Sequence, residues 1–539
     1  MTTWTSNSIL ATYGALAFGL LVLIGRTWVR PQRVPPGIQW AGKRPNEFLA
    51  EVRACLREYT TGITTMMSAY KKFNVAGIPF LLPTTGFEPQ VMLPQEWIKW
   101  VVDQPEDILS SRQVQGERLG LNYILPALDI TSDFAIIEAI RIHLTRNVGK
   151  VQADLVDELR QSVDKVFGMN TEEWSEVNVH SAMKELTFKS TGRVLFGHSL
   201  SHNEKFMHGL SGFSTWFGIG IILVGQLIPW QFRRFVGSLC PLPMAYYRAI
   251  CTRHVGPVFS ERFENMQRKI HDPIFDYSPP EDLITWVCRA AFNMKDQTIT
   301  NGKSLASRFI LLMSGALSSS VAITTHALVD LLGSDPQHNY VQLLREESES
   351  TLLTEDDWNR STSLLKLHRL DSVFRESLRR NPPTLRGLSR QVMPKEGVIL
   401  PNGQKLPQGA WIGVPVLAIQ ADERFYDQPD IFSPLRFVPT EVAKRTLMVT
   451  TSDTFLPFGH ARGSCPGRWF ASHFMKLLFA YIMINYELEP LEGGRPLNKV
   501  VGDHLIPPIQ VSIRVRRRAL STESKSASLQ TASNREPYR

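Results

Sequence analysis

With 539 residues, 43% of them hydrophobic, the chain can bury a large core, and its length alone corresponds to roughly two to four domains. The net charge of +8 does not point to nucleic acid: no aromatic-and-basic module appears, and much of the excess sits in a few arginines near the two ends. Five cysteines, at positions 55, 240, 251, 288 and 465, are odd in number and show no C-x-x-C pairing, which argues against a disulfide framework or zinc site and fits a reducing compartment.

No charged residue precedes Arg26; Ile9–Gly25 is almost wholly apolar, and Arg26, Arg30 and Arg33 follow at once. The stretch from Trp4 to Gly25 is enough helix to cross a hydrocarbon core of ~30 Å. A signal peptide would carry its charges before the apolar run and end in a small-residue cleavage site, so an uncleaved anchor is expected. The arginines keep the body cytosolic. This gives a short lumenal N-terminus at 1–8, a transmembrane anchor at 9–25, and a basic, proline-rich neck at 26–37 suited to anionic lipid heads. The body is expected over 38–518, and 519–539, rich in Ser, Thr and charge, is expected to be a disordered tail. No internal repeat is present.

Along the body, Phe48–Tyr70 reads as a helix, Asn74–Met92 as short strands and a turn, and Gln95–Gln104 as a short helix. Ile108–Thr131 lacks clear periodicity and is expected as a loop. Glu138–Val166 reads as one long amphipathic helix with Arg141, His143, Arg146 and Lys150 along it. Phe206–Phe232 contains no Asp, Glu, Lys or Arg. It reads as an apolar lid that dips into a bilayer, in preference to plain core; a second span is weakened by Gln226, Pro229 and several glycines. Ser304–Leu332 is a long apolar helix with Gly315-Ala316-Leu317-Ser318-Ser319-Ser320 at its centre, and Leu364–Arg380 is a further helix. Val398–Leu406, with Asn402-Gly403, reads as a hairpin, and Gly409–Ala421 as a continuation of a small sheet. Trp469–Tyr486 is a helix, and Val501–Arg516 a last hairpin with its tip near Leu505–Pro508.

Three motifs carry chemistry. Phe458-Gly459-His460-Ala461-Arg462-Gly463-Ser464-Cys465-Pro466-Gly467 places one sulfur before a helix start; Pro466 suits the first turn, and Gly467 permits close approach to a flat ligand. A sulfur there, facing a metal, is expected as thiolate. Glu376-Ser377-Leu378-Arg379 puts an acid and an arginine on one helix face, and Pro434-Leu435-Arg436-Phe437 follows a loop rich in Asp and Pro. Any one of these has an ordinary reading, as buried cysteine or solvated ion pair; their order and spacing together do not.

Together they resemble the cytochrome P450 family of haem-thiolate monooxygenases, over about residues 35 to 515, and among its members the filamentous-fungal microsomal enzymes of secondary metabolism. The resemblance implies one large, mainly α domain with small β-sheets in place of several domains. It implies haem b with Cys465 as axial thiolate, the ligand type that favours O–O cleavage. Phe458, Arg462 and Gly467 would contact the cofactor, with Arg462 toward the propionates. Glu376, Arg379 and Arg436 would form a buried structural triad. The 108–131 segment would roof the pocket, and residues of the 138–166 helix would touch propionates or the redox partner.

Ser318 and Ser319 fall where the family carries an acid and a threonine, and are expected to assist proton delivery through water; the lesser alternative is that they bond back to helix carbonyls. Ala461 and Gly463 also depart from the usual motif, which has Gly and a basic residue there. Electrons would come from NADPH through a diflavin reductase at the endoplasmic reticulum membrane. The implied activity inserts one oxygen atom from O2 into an apolar small molecule, a terpenoid or meroterpenoid by resemblance alone. A haem-thiolate isomerase or dehydratase that does not use O2, or a non-catalytic haem-binding protein, is the alternative that the absent threonine raises.

Overall fold

The computed structural model describes residues 28–29, 33–125, 134–239, 241–293, 302–440 and 446–519. The expected anchor at 9–25, most of the first half of the neck and the tail beyond 519 lie outside them.

Helices dominate. The core is built by α1 (Ala50–Lys72), α2 (Ser111–Arg118), α3 (Val148–Phe167), α4 (Val179–Phe196), α5 (Glu204–Gly220), α6 (Pro241–His271), α7 (Leu283–Asn293), α8 (Gly302–Leu332), α9 (Tyr340–Thr351), α10 (His368–Arg380) and α11 (Arg468–Asn485). Four of them meet through edge-to-face rings: Phe196 of α4 lies 5.0 Å from Phe206 of α5 and 5.6 Å from Phe309 of α8, which lies 5.2 Å from Phe259 of α6. Such pairs add ~0.5–1.5 kcal/mol each beyond their buried area.

A six-stranded mixed sheet flanks the helices. Its strands are β1 (Gln39–Trp40), β2 (Phe80–Leu82), β3 (Gln90–Met92), β4 (Leu109–Ser110), β6 (Gly387–Val392) and β9 (Trp411–Val414), in the order β1-β2-β3-β9-β6-β4. Between them in sequence come β5 (Ser175–Asn178) and the short antiparallel pair β7 (Val398–Ile399) and β8 (Lys405–Leu406). Near the C-terminus, β10 (Tyr486–Leu488), β13 (Ser512–Arg517) and β5 form a three-stranded sheet, and β11 (Lys499–Val501) with β12 (His504–Ile506) a hairpin.

Several expectations are corrected. The 108–131 segment is not all loop: Ser110 caps α2 by accepting from Gln113 N at 3.2 Å, and Glu106 accepts from Ser111 N at 3.0 Å. The 138–166 helix is broken. A π-turn over Ala139–Leu144 precedes α3, where Thr145 Oγ1 and Asn147 Nδ2 donate to the carbonyls of Ile140 and His143 at 3.2 and 2.8 Å. Only the first part of 409–421 is strand; after Pro415 the chain turns into a helix at Val416–Gln420. The last hairpin turns at Gly502–Asp503, three residues before the expected tip, because Gly502 takes a φ of +58° that suits glycine.

Charge placement differs as well. Arg33, expected at lipid heads, is buried: it donates to Gly409 O at 2.6 Å and Glu117 Oε2 at 2.7 Å and stacks 3.7 Å from the Trp411 ring. Arg514 pairs with Glu489 at 3.1 Å, Arg517 pairs with Asp164, and Arg518 pairs with Glu349 at 2.7 Å. Three arginines of that C-terminal run are therefore neutralised by partners and form no free basic patch.

Candidate active site

The cysteine loop is tight because its backbone closes on itself. Gly459 takes a φ of +72°, Cys465 N donates to Phe458 O at 2.7 Å, and Ser464 N donates to Ala461 O at 3.2 Å. Ala461 is held at a φ of +52°, a left-handed conformation that costs a non-glycine residue ~1–2 kcal/mol. This is the physical reason that glycine is the easier residue there. His460 fastens the loop through Thr451 Oγ1 and Asp453 Oδ1, both at 3.1 Å.

Cys465 stands two residues before the N-cap of α11, Gly467. It is exposed, whereas Cys55, Cys251 and Cys288 are buried. Yet burial is the largest influence on its thiol and pushes it up, opposed by the N–H groups of Gly467 and Arg468 and the Arg468 charge. Exposed surface on so desolvated a group faces an interior space. A metal cation on the open side would favour the thiolate form.

Glu376, Arg379 and Arg436 form a buried ion triad. Glu376, 0% exposed, accepts Arg379 Nε on Oε2 at 2.8 Å, Arg379 Nη2 on Oε1 at 2.8 Å and Arg436 Nε on Oε2 at 3.1 Å. Ser433 N adds a bond to Oε1 at 3.1 Å, and Arg379 also donates to Gln420 O and Pro429 O at 2.7 Å each. Both carboxylate oxygens are thus saturated, the condition under which a buried ion pair is tolerated. Arg375, one helical residue earlier, donates to Leu447 O at 2.6 Å and Thr450 O at 2.8 Å and stacks 3.7 Å from the Phe455 ring. Lys476 of α11 reaches Asp371 of α10 at 3.2 Å. The sequence reading passed over Arg375, Asp371 and Lys476, since nothing in their spacing shows that α10 and α11 touch.

Across the interior, α8 is buried at Leu311, Met313, Ser314, Leu317 and Val321, but exposed at Gly315, Ala316, Ser318 and Ser319. A Cβ on Gly315 would meet nothing within 4 Å. Ser319 and Ser320 both donate to Ala316 O, at 3.0 and 2.9 Å. An open face of small and hydroxyl residues inside an apolar helix, and an accessible sulfur inside a packed loop, fit a flat macrocycle with a single thiolate ligand.

Phe458 is buried at the loop base, and Gly467 approaches Ile140, whose Cγ2 would lie 3.8 Å from an added Cβ. Arg462 has an exposed side chain, while its carbonyl accepts from Arg141 Nη2 at 3.3 Å. Arg390, which the sequence reading missed, has Nη2 only 3.4 Å from where a Gly463 Cβ would stand, so a basic group reaches the loop from β6. Arg141 and Arg390 are the cations placed to meet carboxylates at this edge.

A sequence profile described as Cytochrome P450 matches residues 135–514. The chain is 35% identical to cytochrome P450 monooxygenase polB of Polytolypa hystricis, over 90% of this chain and 94% of that one. It is 34% identical to cytochrome P450 monooxygenase lnaC of Aspergillus flavus, over 91% and 94%. To cytochrome P450 monooxygenase fsoD of Humicola fuscoatra the identity is 32%, over 95% and 99%. The chain belongs to the cytochrome P450 family, haem-thiolate oxidoreductases of mainly helical fold with small β-sheets.

Proposed function

We propose that this cytochrome P450 is a membrane-bound monooxygenase of fungal secondary metabolism, acting on a terpenoid or meroterpenoid intermediate. The observation that carries the reading is the open face of α8, where hydroxyls meet small residues on an otherwise apolar helix. When bound, haem supplies the activation of O2, with electrons from NADPH through a diflavin reductase. Cys465 holds the iron, Phe458 and Gly467 shape the loop, and Arg462, Arg141 and Arg390 meet the propionates. Glu376, Arg379 and Arg436 keep the loop's wall rigid.

Ser319 is the residue that conducts the proton. Its hydroxyl donates to Ala316 O and still offers two lone pairs to water, with Ser318 exposed beside it. Ser319→Ala is expected to lower product per NADPH and raise peroxide release severalfold, with substrate binding nearly unchanged, and Ser319→Thr to be tolerated. Oxygen uptake, peroxide and product in the reconstituted reductase system read this directly. Unchanged coupling in Ser319→Ala reduces Ser319 to packing, and turnover without NADPH or reductase replaces the monooxygenase by an isomerase.

Membrane attachment rests on the apolar stretch before Arg26 and on the lid. One face of α5 is buried through Phe206, Leu210, Phe213 and Phe217, so this segment is part of the fold and not a free span. Beyond it the surface is apolar: Phe235 is 70%, Leu242 72% and Tyr246 63% exposed. That cluster suits the acyl boundary of a bilayer and gives a greasy substrate a route from lipid. A chain beginning at Pro35 is expected to leave the membrane pellet in high salt or mild detergent. A mature N-terminus beyond residue 25, or glycosylation of the body, overturns the cytosolic, single-pass placement in the endoplasmic reticulum.

A further inference from the structure

Charged groups converge deep in the fold at the junction where α2, the lid, the start of β6 and the β11–β12 hairpin meet. Asp503, 1% exposed, accepts from Arg386 Nε at 2.9 Å and pairs with Arg118. Arg118 also donates to Ser389 Oγ at 2.7 Å and to Arg386 O at 3.1 Å. Gln226, at the end of the lid, accepts from Asp503 N at 2.7 Å and lies 2.8 Å from His504 Nε2, whose Nδ1 lies 2.9 Å from Pro383 O.

One group is left over. Arg386 Nη1 is buried and has no hydrogen-bond partner among the described residues. Burial pushes Arg118 down to about 9 and lowers Arg386 as well, while 17% and 13% of their side chains remain accessible. Glu58 stands near enough for Arg386 to pull its carboxyl down, but burial wins and raises it to about 7, and its Oε1 is also unpartnered. Two guanidiniums thus stand beside the carboxyl groups of Asp503 and Glu58.

Two structural links measure the junction's distance from the chemistry. Arg386 precedes Arg390, which touches the cysteine loop, by four residues, or ~13 Å of extended chain. Leu505, next to His504, accepts at 3.3 Å from His326 Nε2 of α8. His326 lies seven residues after Ser319, two turns along the same helix face and ~10 Å away.

We propose that Arg386, held by Asp503 and buttressed by Arg118, is an anion subsite that receives a carboxylate on an otherwise apolar substrate. Arginine offers a planar fork that matches a carboxylate, and a buried donor left unmade makes the site discriminate against a neutral ester. The inference rests on the monooxygenase reading for the position of the reacting carbon, not for the binding itself.

The test titrates full-length holoprotein with oleanolic acid and palmitic acid, each against its methyl ester, and follows the Soret spin shift, which reads binding without turnover. At least one acid is expected to bind ~10-fold tighter than its ester, about 1.4 kcal/mol. Arg386→Gln is expected to shrink that preference to roughly threefold or less, and Arg386→Lys to keep part of it, with the carbon monoxide spectrum intact. No binding by either acid, or equal binding of acid and ester in both pairs, overturns the subsite. So does haem loss in both Arg386 variants, which would put Arg386 on a propionate. Failure of the monooxygenase reading looks different: acid-selective binding persists, but NADPH drives no oxygenated product.

Discussion

Cys465→Ala is expected to yield protein without haem, or with haem lacking the thiolate-type, red-shifted Soret band under carbon monoxide. Cys465 is the exposed one among the described cysteines, and it stands at the start of α11 with the N–H groups of Gly467 and Arg468 directed at its sulfur. Cys288→Ala removes a buried sulfur of α7 and is expected to cost a little stability while leaving the spectrum unchanged. The contrast matters because a destabilised fold can lose haem for trivial reasons. A normal thiolate-type band in Cys465→Ala would falsify the ligand assignment.

Glu376→Ala is expected to be nearly as damaging, by a different route. The substitution leaves Arg379, 1% exposed, and the largely buried Arg436 facing one another without their shared carboxylate. Breaking a buried pair in this way costs ~3–5 kcal/mol, against a total stability of ~5–15 kcal/mol for a typical domain. The outcome is little holoprotein, read as haem per mole of purified chain and as the midpoint of thermal unfolding. Full yield with altered turnover alone would move Glu376 from scaffold to chemistry. Glu376→Gln should recover part of the yield, since an amide can still accept from Arg379 and Ser433, although it leaves two cations with no counter-charge.

These effects differ because the two sites use charge differently. At Glu376 the protein supplies both signs, and both carboxylate oxygens are matched within 3.1 Å. At Cys465 it supplies the sulfur and part of the positive field, while burial pushes the thiol up. The Arg386 junction is intermediate, with one guanidinium nitrogen unmatched. A ladder of completion, from saturated scaffold to open ligand site, runs through the same set of interior charges.

The sequence by itself determined the elements whose signal is local. The long apolar helix, read as Ser304–Leu332, is Gly302–Leu332; the helix after the cysteine, read as Trp469–Tyr486, is Arg468–Asn485. Glu376 and Arg379 could be paired from spacing alone, because helical geometry puts residues three apart on one face. The cysteine loop was legible from Pro466 and Gly467, which are local punctuation. Tertiary structure decided what depends on partners far away in sequence. Arg33 is buried because Trp411, Gly409 and Glu117 receive it, and no rule of juxtamembrane charge anticipates that. The break before α3 follows from side chains that bond back to carbonyls, a competition that hydrophobic periodicity does not register. The hairpin turn moved to Gly502–Asp503, where Asp503 meets two arginines from segments more than a hundred residues earlier. Charge has no period, so its partners are fixed only when the chain folds: the sequence lists the arginines, and packing selects which of their donors end up matched and which do not.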